Sequence, residues 1–210
     1  MTAPTITVHG TKLSGHTHRV EAFLGLLRLP YRFVDTPGEL RRTAAFRALN
    51  PLGQIPVLED GALVLADSNA ILVYLAKRYA SGSAWLPEDP AGAAAVQRWL
   101  SIAADEVKHG PGFARLAALW GRGGDPAASR AIAEGLLAFM EDHLTARSFL
   151  AAGQPTIADL ACYAYVAHAP EGRISLDPYP SVRAWLARVE ALPGFVRMPV
   201  SALPPERAAS

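Results

Sequence analysis

The chain has 210 residues, half of them hydrophobic and 19% charged, enough to bury one generous core or two modest ones in an ordinary soluble globular protein. A formal net charge of +1 supplies no strong field to recruit nucleic acid or an anionic membrane. The single cysteine, Cys162, excludes an intramolecular disulfide and a CxxC redox pair. The start, MTAPTITVHGTK, lacks the apolar core of a signal peptide, and the longest unbroken apolar run, Leu160 to Ala167, falls far short of the roughly 20 residues a membrane span needs. A cytoplasmic protein is expected. Residues 1–80 carry nine basic and six acidic side chains against eleven and thirteen in the remainder, a mild positive bias that suits a small anion.

In chain order, Ile6-Thr7-Val8 reads as a short strand, and the loop Thr11 to Gly15 leads into a helix over His16 to Leu29 with Val20, Phe23, Leu24 and Leu27 inward. Pro30 ends it, and Tyr31 to Val34 alternates as a second strand. Glu39 to Leu49 is predicted as a short, Arg-rich helix. Pro56 to Glu59 and Leu63 to Leu65 are apolar runs hinged at Asp60-Gly61, a strong hairpin signal, and Ser68 is expected to cap a helix with Ile71, Leu72, Leu75 and Tyr79 inward. Strand–helix–strand, then helix, hairpin and helix is a thioredoxin-like order with one parallel pair.

Residues 82–90, with two prolines, read as a linker in which Trp85-Leu86 pins the chain to one of two domains, 1–81 and 91–210. Everything beyond is predicted helical: Ala91 to Lys108 as one long helix, a break at Gly110-Pro111, Phe113 to Trp120, Ala127 to Ala146, and Ser181 to Ala191. The Pro-rich tail from Pro199 is expected to be loose or folded over the helices. Thr156-Ile157-Ala158-Asp159 has the spacing of a capping box, with Asp in place of Glu, so Asp159 is given a structural role. Cys162 follows inside that helix and reads as a buried, inert thiol.

The stretch NPLGQIPVLEDGALVLADSNAILVY, Asn50 to Tyr74, carries the chemistry. A cis Ile55-Pro56 bond would leave the Ile55 backbone N–H and C=O facing outward, although cis is only about 5–6% of X–Pro bonds and spacing does not decide it. Asp67-Ser68 places a carboxylate and a hydroxyl at a helix start, where a carboxylate is attracted and an ammonium beside Asp67 can be held. The plainer reading of the pair is ordinary capping.

Taken together, Gln54-Ile55-Pro56 with Asp67-Ser68 thirteen residues after Gln54 resembles the glutathione-binding half of the cytosolic glutathione transferase family, in particular its bacterial serine-type or beta-like members. The resemblance implies an α/β N-terminal thioredoxin-like domain plus an all-α C-terminal helical bundle domain that contributes the electrophile site. It implies glutathione as co-substrate, no cofactor and a homodimer; the residues themselves offer no HExxH or Cys/His cluster, so no metal is expected. Ser14, in the loop after the first strand, matches the side chain that stabilises the glutathione thiolate, its alternative being a helix cap. Gly15 would let the backbone turn beside the sulfur. The resemblance also implies that Arg42 takes the glycine carboxylate, Ile55 the cysteinyl backbone, Gln54 and Ser68 the glutamyl carboxylate, and Asp67 its ammonium. His16, Lys108 and His109 are candidates for the thiol or the second substrate, the last two in reversed order relative to beta-type members, so which one faces inward stays open. The reaction expected is attack of the thiolate on a small hydrophobic electrophile, or glutathione-dependent reduction of a peroxide or mixed disulfide. The alternative is a non-catalytic binding or scaffold protein that kept the fold.

Overall fold

A computed structural model describes residues 5–204. The first unit is a four-stranded sheet of β1 (Ile6–Gly10), β2 (Tyr31–Asp35), β3 (Val57–Asp60) and β4 (Leu63–Ala66), with α1 (Gly15–Leu26), α2 (Ala44–Leu49) and α3 (Ser68–Tyr79). The sheet order is β2-β1-β3-β4; β1 and β2 run parallel, pairing Ile6 with Tyr31, and β3 is antiparallel to both β1 and β4. This is the thioredoxin-like arrangement expected. The remaining helices are α4 (Pro90–Ala104), α5 (Phe113–Trp120), α6 (Pro126–Leu144), α7 (Ile157–Ala167) and α8 (Pro180–Glu190).

Local chemistry sets the boundaries, and several differ from expectation. Asp67, not Ser68, caps α3: its Oδ1 accepts from the Asn69 and Ala70 backbone N–H groups at 2.9 and 3.0 Å. The Arg-rich stretch is two pieces, a 3-10 turn Leu40–Arg42 and α2, because the Thr43 side chain caps α2 by accepting from Phe46 N–H at 3.3 Å. Helix α4 stops at Ala104, and Lys108–Gly112 forms a π-helical turn around Pro111, whose missing N–H cannot continue an α-helical ladder.

Helices α1, α3 and α4 pack against α7, which is buried along its length. One core therefore runs from Phe23, Leu24 and Ile71 to Trp99, Leu137 and Trp185. The capping box at the start of α7 forms as expected, and Asp159 does more than cap. Its carboxylate accepts from the Thr156 and Leu150 N–H groups and from Trp185 Nε1–H, at 2.8, 2.9 and 2.9 Å. Trp85 ties the connection between α3 and α4 to both units rather than to one: its ring packs edge-on against Phe23 at 5.1 Å, and its carbonyl accepts from Ile157 N–H at 2.9 Å.

The segment after α8 is pinned as far as it is described. His18, buried in α1, donates from Nε2 to the Val196 carbonyl at 2.7 Å, between the Tyr163 and Phe195 rings. Its Nδ1 is buried without a partner, which suits a neutral ring, and burial lowers its pKa from 6.5 to about 4. A folded-state pKa below the unfolded one means the folded state binds fewer protons. The stability contributed is therefore complete above pH 6.5 and drains away as the pH falls toward 4. By pH 5 the loss is expected to be about 2 kcal/mol. Denaturant titrations at neutral and acid pH check this: the loss should shrink in His18→Gln, and an undiminished loss in that variant removes His18 as the cause.

Candidate active site

A cleft of about 680 Å3 opens between the sheet-bearing unit and the helices, within the usual range for a small-molecule site. Ser14, His16, Gln54, Ile55, Pro56, Asp67, Ser68 and Lys108 all line it.

Ser14 stands between β1 and α1. Its Oγ accepts from Thr17 N–H at 3.3 Å, capping α1, which occupies a lone pair and leaves the O–H proton free to donate. The two roles weighed for this residue are thus compatible. Gly15 is needed here for close approach rather than for a turn: a Cβ would lie 2.8 Å from the Tyr165 ring of α7. The Tyr165 hydroxyl faces the Gly15 and His16 backbone N–H groups.

Two residues on, His16 Nδ1 sits 3.4 Å from Ser68 Oγ, and the ring meets Tyr165 edge-on. Burial, then Arg19 and Lys108, holds the His16 pKa well below 6.5, so the imidazole is neutral. Arg19 lies on the same face of α1, 1% exposed, and also lines the cleft. It donates from Nη1 to Ser68 Oγ at 3.2 Å and to Asn69 Oδ1 at 2.6 Å, while Nε and Nη2 are buried without partners. A buried guanidinium with only neutral acceptors is costly, and a ligand anion would supply the missing partner.

Asp67 has φ 73°, a region few residues other than glycine enter. With Oδ1 committed to the backbone, its other oxygen is available to an ammonium. The turn before β3 is built by Asn50, which accepts from Leu52 N–H at 3.1 Å and donates to the Gln54 carbonyl at 2.8 Å. Gly53 follows at φ 64°. The Ile55-Pro56 bond is cis, and the ladder with β1 begins only at Val57, so the Ile55 backbone lies outside it.

Residues 8–84 match the glutathione S-transferase N-terminal domain and residues 125–188 the C-terminal domain. A glutathione S-transferase of tobacco, PARB, is 30% identical over 206 residues, spanning 91% of this chain and 96% of its own. The chain belongs to the glutathione S-transferase family. A transferase structure from Pseudomonas fluorescens superposes with a TM-score of 0.87 at 33% identity, covering 92% of this chain and 98% of the other. A theta-class transferase from Xanthomonas axonopodis with glutathione bound superposes with a TM-score of 0.84 at 29% identity, over 96% of this chain and 100% of that one.

The structure differs from one expectation about this transferase's site and narrows another that was left open. Arg42 is exposed and off the cleft; Arg41 lines it, with a buried and unpartnered Nε. Successive residues of a 3-10 turn diverge by about 120°, so the two arginines point apart. His109 also turns away, with Nδ1 2.6 Å from Asp105 and its ring edge-on to Phe113, which leaves Lys108 as the inward-facing member of the pair. Cys162 is fully buried, and burial pushes its thiol pKa up, as an inert cysteine requires.

Three residues at or beside the cleft, Arg19, Tyr165 and Arg115, were not among those expected. Arg19 could have been found from its spacing, since 16, 19, 20 and 23 share one helical face. Tyr165 and Arg115 could not, because they reach Gly15 and Leu13 only through the fold. Arg115, buried in α5, donates from Nη1 to the Leu13 carbonyl at 2.8 Å and from Nε to Glu171 at 2.6 Å. Glu171 also meets His168 Nδ1 at 2.6 Å and accepts from Ser201 N–H at 3.0 Å. Thus the loop that carries Ser14 is held by the helical unit. Among the described residues no cluster of three or more His, Cys, Asp or Glu could hold a metal, and no helix is long and apolar enough to cross a membrane.

Proposed function

We propose that the chain is a serine-type, beta-like transferase in which Ser14 activates the thiol of glutathione for attack on a small electrophile. The observation that carries this is the Ser14 hydroxyl, satisfied as an acceptor by α1 and free as a donor, in the same cleft as Asp67, Ser68 and Arg41. Asp67 takes the γ-glutamyl ammonium, and Ser68 and Gln54 take its carboxylate, with the Arg19 charge behind Ser68. The Ile55 backbone pairs with the cysteinyl unit by strand addition, and Arg41 holds the glycine carboxylate. The Ser14 O–H then donates to sulfur, stabilising the thiolate without losing its own proton. The thiol proton goes to solvent, sulfur forms the new bond to the electrophilic carbon, and the leaving group departs with its electron pair. Holding both reactants in one cleft adds to the rate.

Lys108 at the cleft supports the beta-like reading. Exposed Leu63 and Val64 on β4 and Phe139 on α6 support a homodimer, to be checked by light scattering. The test is calorimetric binding of glutathione, followed by a panel of model electrophiles, hydroperoxides and mixed disulfides. Binding with turnover of at least one class is expected; absence of glutathione binding overturns the reading. Arg41→Ala should weaken glutathione binding about tenfold, the worth of one charge-assisted pair, and Arg42→Ala should change it less than twofold. The reverse ranking would return the glycine carboxylate to Arg42.

A further inference from the structure

The cleft is unevenly charged, and glutathione does not account for all of the excess. The acidic side chains lining it, Asp35 and Asp67, both belong to the sheet-bearing unit. The helical wall carries Lys108, Arg115 and Arg122 and contributes no acid among the described residues. Arg115 is neutralised by Glu171. Lys108 and Arg122 have no side-chain hydrogen bond or ion pair among the described residues, although Lys108 is half-buried and close enough to His16 to depress its pKa. The π-helical turn is what aims Lys108 at the cleft while His109 is tied back to Asp105. Beside these cations lie the apolar faces of Phe113, Leu116 and the 44%-exposed Trp120.

In the assignment above, the anionic groups of glutathione are met from the sheet side and α1, by Arg41, Arg19, Ser68 and Ser14. The helical wall is left with two uncommitted cations beside an aromatic surface. We infer that the electrophile this site takes is an amphiphile, an aromatic or other apolar body bearing a carboxylate or similar anionic group that Lys108 and Arg122 receive. This rests on the glutathione reading and names the substrate class of its second subsite. A charge-assisted contact in a half-buried cleft fixes orientation as well as affinity, setting the apolar body against Trp120 and its reactive carbon toward the sulfur.

The probes are two conjugates that differ by one group, S-benzylglutathione and S-(para-carboxybenzyl)glutathione, titrated calorimetrically. The wild type should bind the carboxylated conjugate about tenfold more tightly, with the preference shrinking as salt is raised to about 0.5 M. In Lys108→Met/Arg122→Met, chosen to keep length and remove charge, the affinity ratio should fall to near one. Equal affinities in the wild type, or a preference that survives in the double variant, overturns the anionic subsite while leaving glutathione binding intact. Should the double variant fail to fold, the wild-type ratio and its salt dependence decide. If neither conjugate nor glutathione itself binds, the glutathione reading falls, and the subsite with it.

Discussion

Ser14→Ala is expected to bind glutathione but to let its thiol return toward the free value of about 8.5, lowering turnover near neutral pH by about thirtyfold. Under the proposed assignment only the donor to sulfur is lost, and Asp67, Ser68, Gln54 and Arg41 would still hold the ends of the tripeptide. The sign with pH follows from the same picture. The wild type, with a depressed thiol pKa, should keep its rate as the pH falls below 8, whereas the variant should lose rate tenfold per unit there and approach the wild type in alkali. Thiolate absorbance of bound glutathione against pH reads this directly. The deleted hydroxyl also caps α1, at a cost of about 1 kcal/mol, so a thermal melt should accompany it. An unchanged thiol ionisation curve would remove Ser14 from the chemistry and leave it a cap.

Glu171→Leu should be the most damaging single change, costing about 3–5 kcal/mol, because it strands the buried Arg115 guanidinium. Burial alone would raise the Glu171 carboxyl pKa, but Ser201 N–H, His168 and Arg115 outweigh it and hold it below the ordinary value, so the group is an anion in the fold. Removing it orphans all three donors. The double variant Arg115→Met/Glu171→Leu should recover part of the loss, since breaking a buried pair costs more than replacing it by apolar side chains. It should nevertheless lower kcat, because the Leu13 carbonyl loses its donor and the Ser14 loop its anchor. Denaturant titration and steady-state kinetics on the three proteins check both halves. A cost below about 1 kcal/mol for Glu171→Leu would show that the pair is not what holds this corner together.

What could be read from the sequence was what is contiguous. The Gln54-Ile55-Pro56 turn, the Asp60-Gly61 hairpin and the Thr156–Asp159 box each lie within a few residues, so local spacing carries them. Ser14 was singled out by the family resemblance, and the strand–loop–helix order puts it at the cleft. Finer placements stayed out of reach where neighbouring residues compete for one direction. Arg41 rather than Arg42 faces the cleft because of a 3-10 turn, and Lys108 rather than His109 because of a π turn; neither periodicity is visible in a helical pattern of 3.6. Arg19 shares a helical face with His16, Val20 and Phe23, so spacing pointed to it, but an arginine on a helix is ordinarily solvated, and its 1% exposure comes from the fold. Arg115 reaches Leu13 from 102 residues away, a separation over which no local signal operates.

That last bond bears on engineering. A chimera that grafted a new helical half onto this sheet-bearing half, in order to import another substrate range, would have to bring a guanidinium to the Leu13 carbonyl and an aromatic ring to Gly15. A donor lacking either would deliver its pocket walls intact while the nucleophile's perch slackened, and the hybrid would recognise new molecules without transforming them.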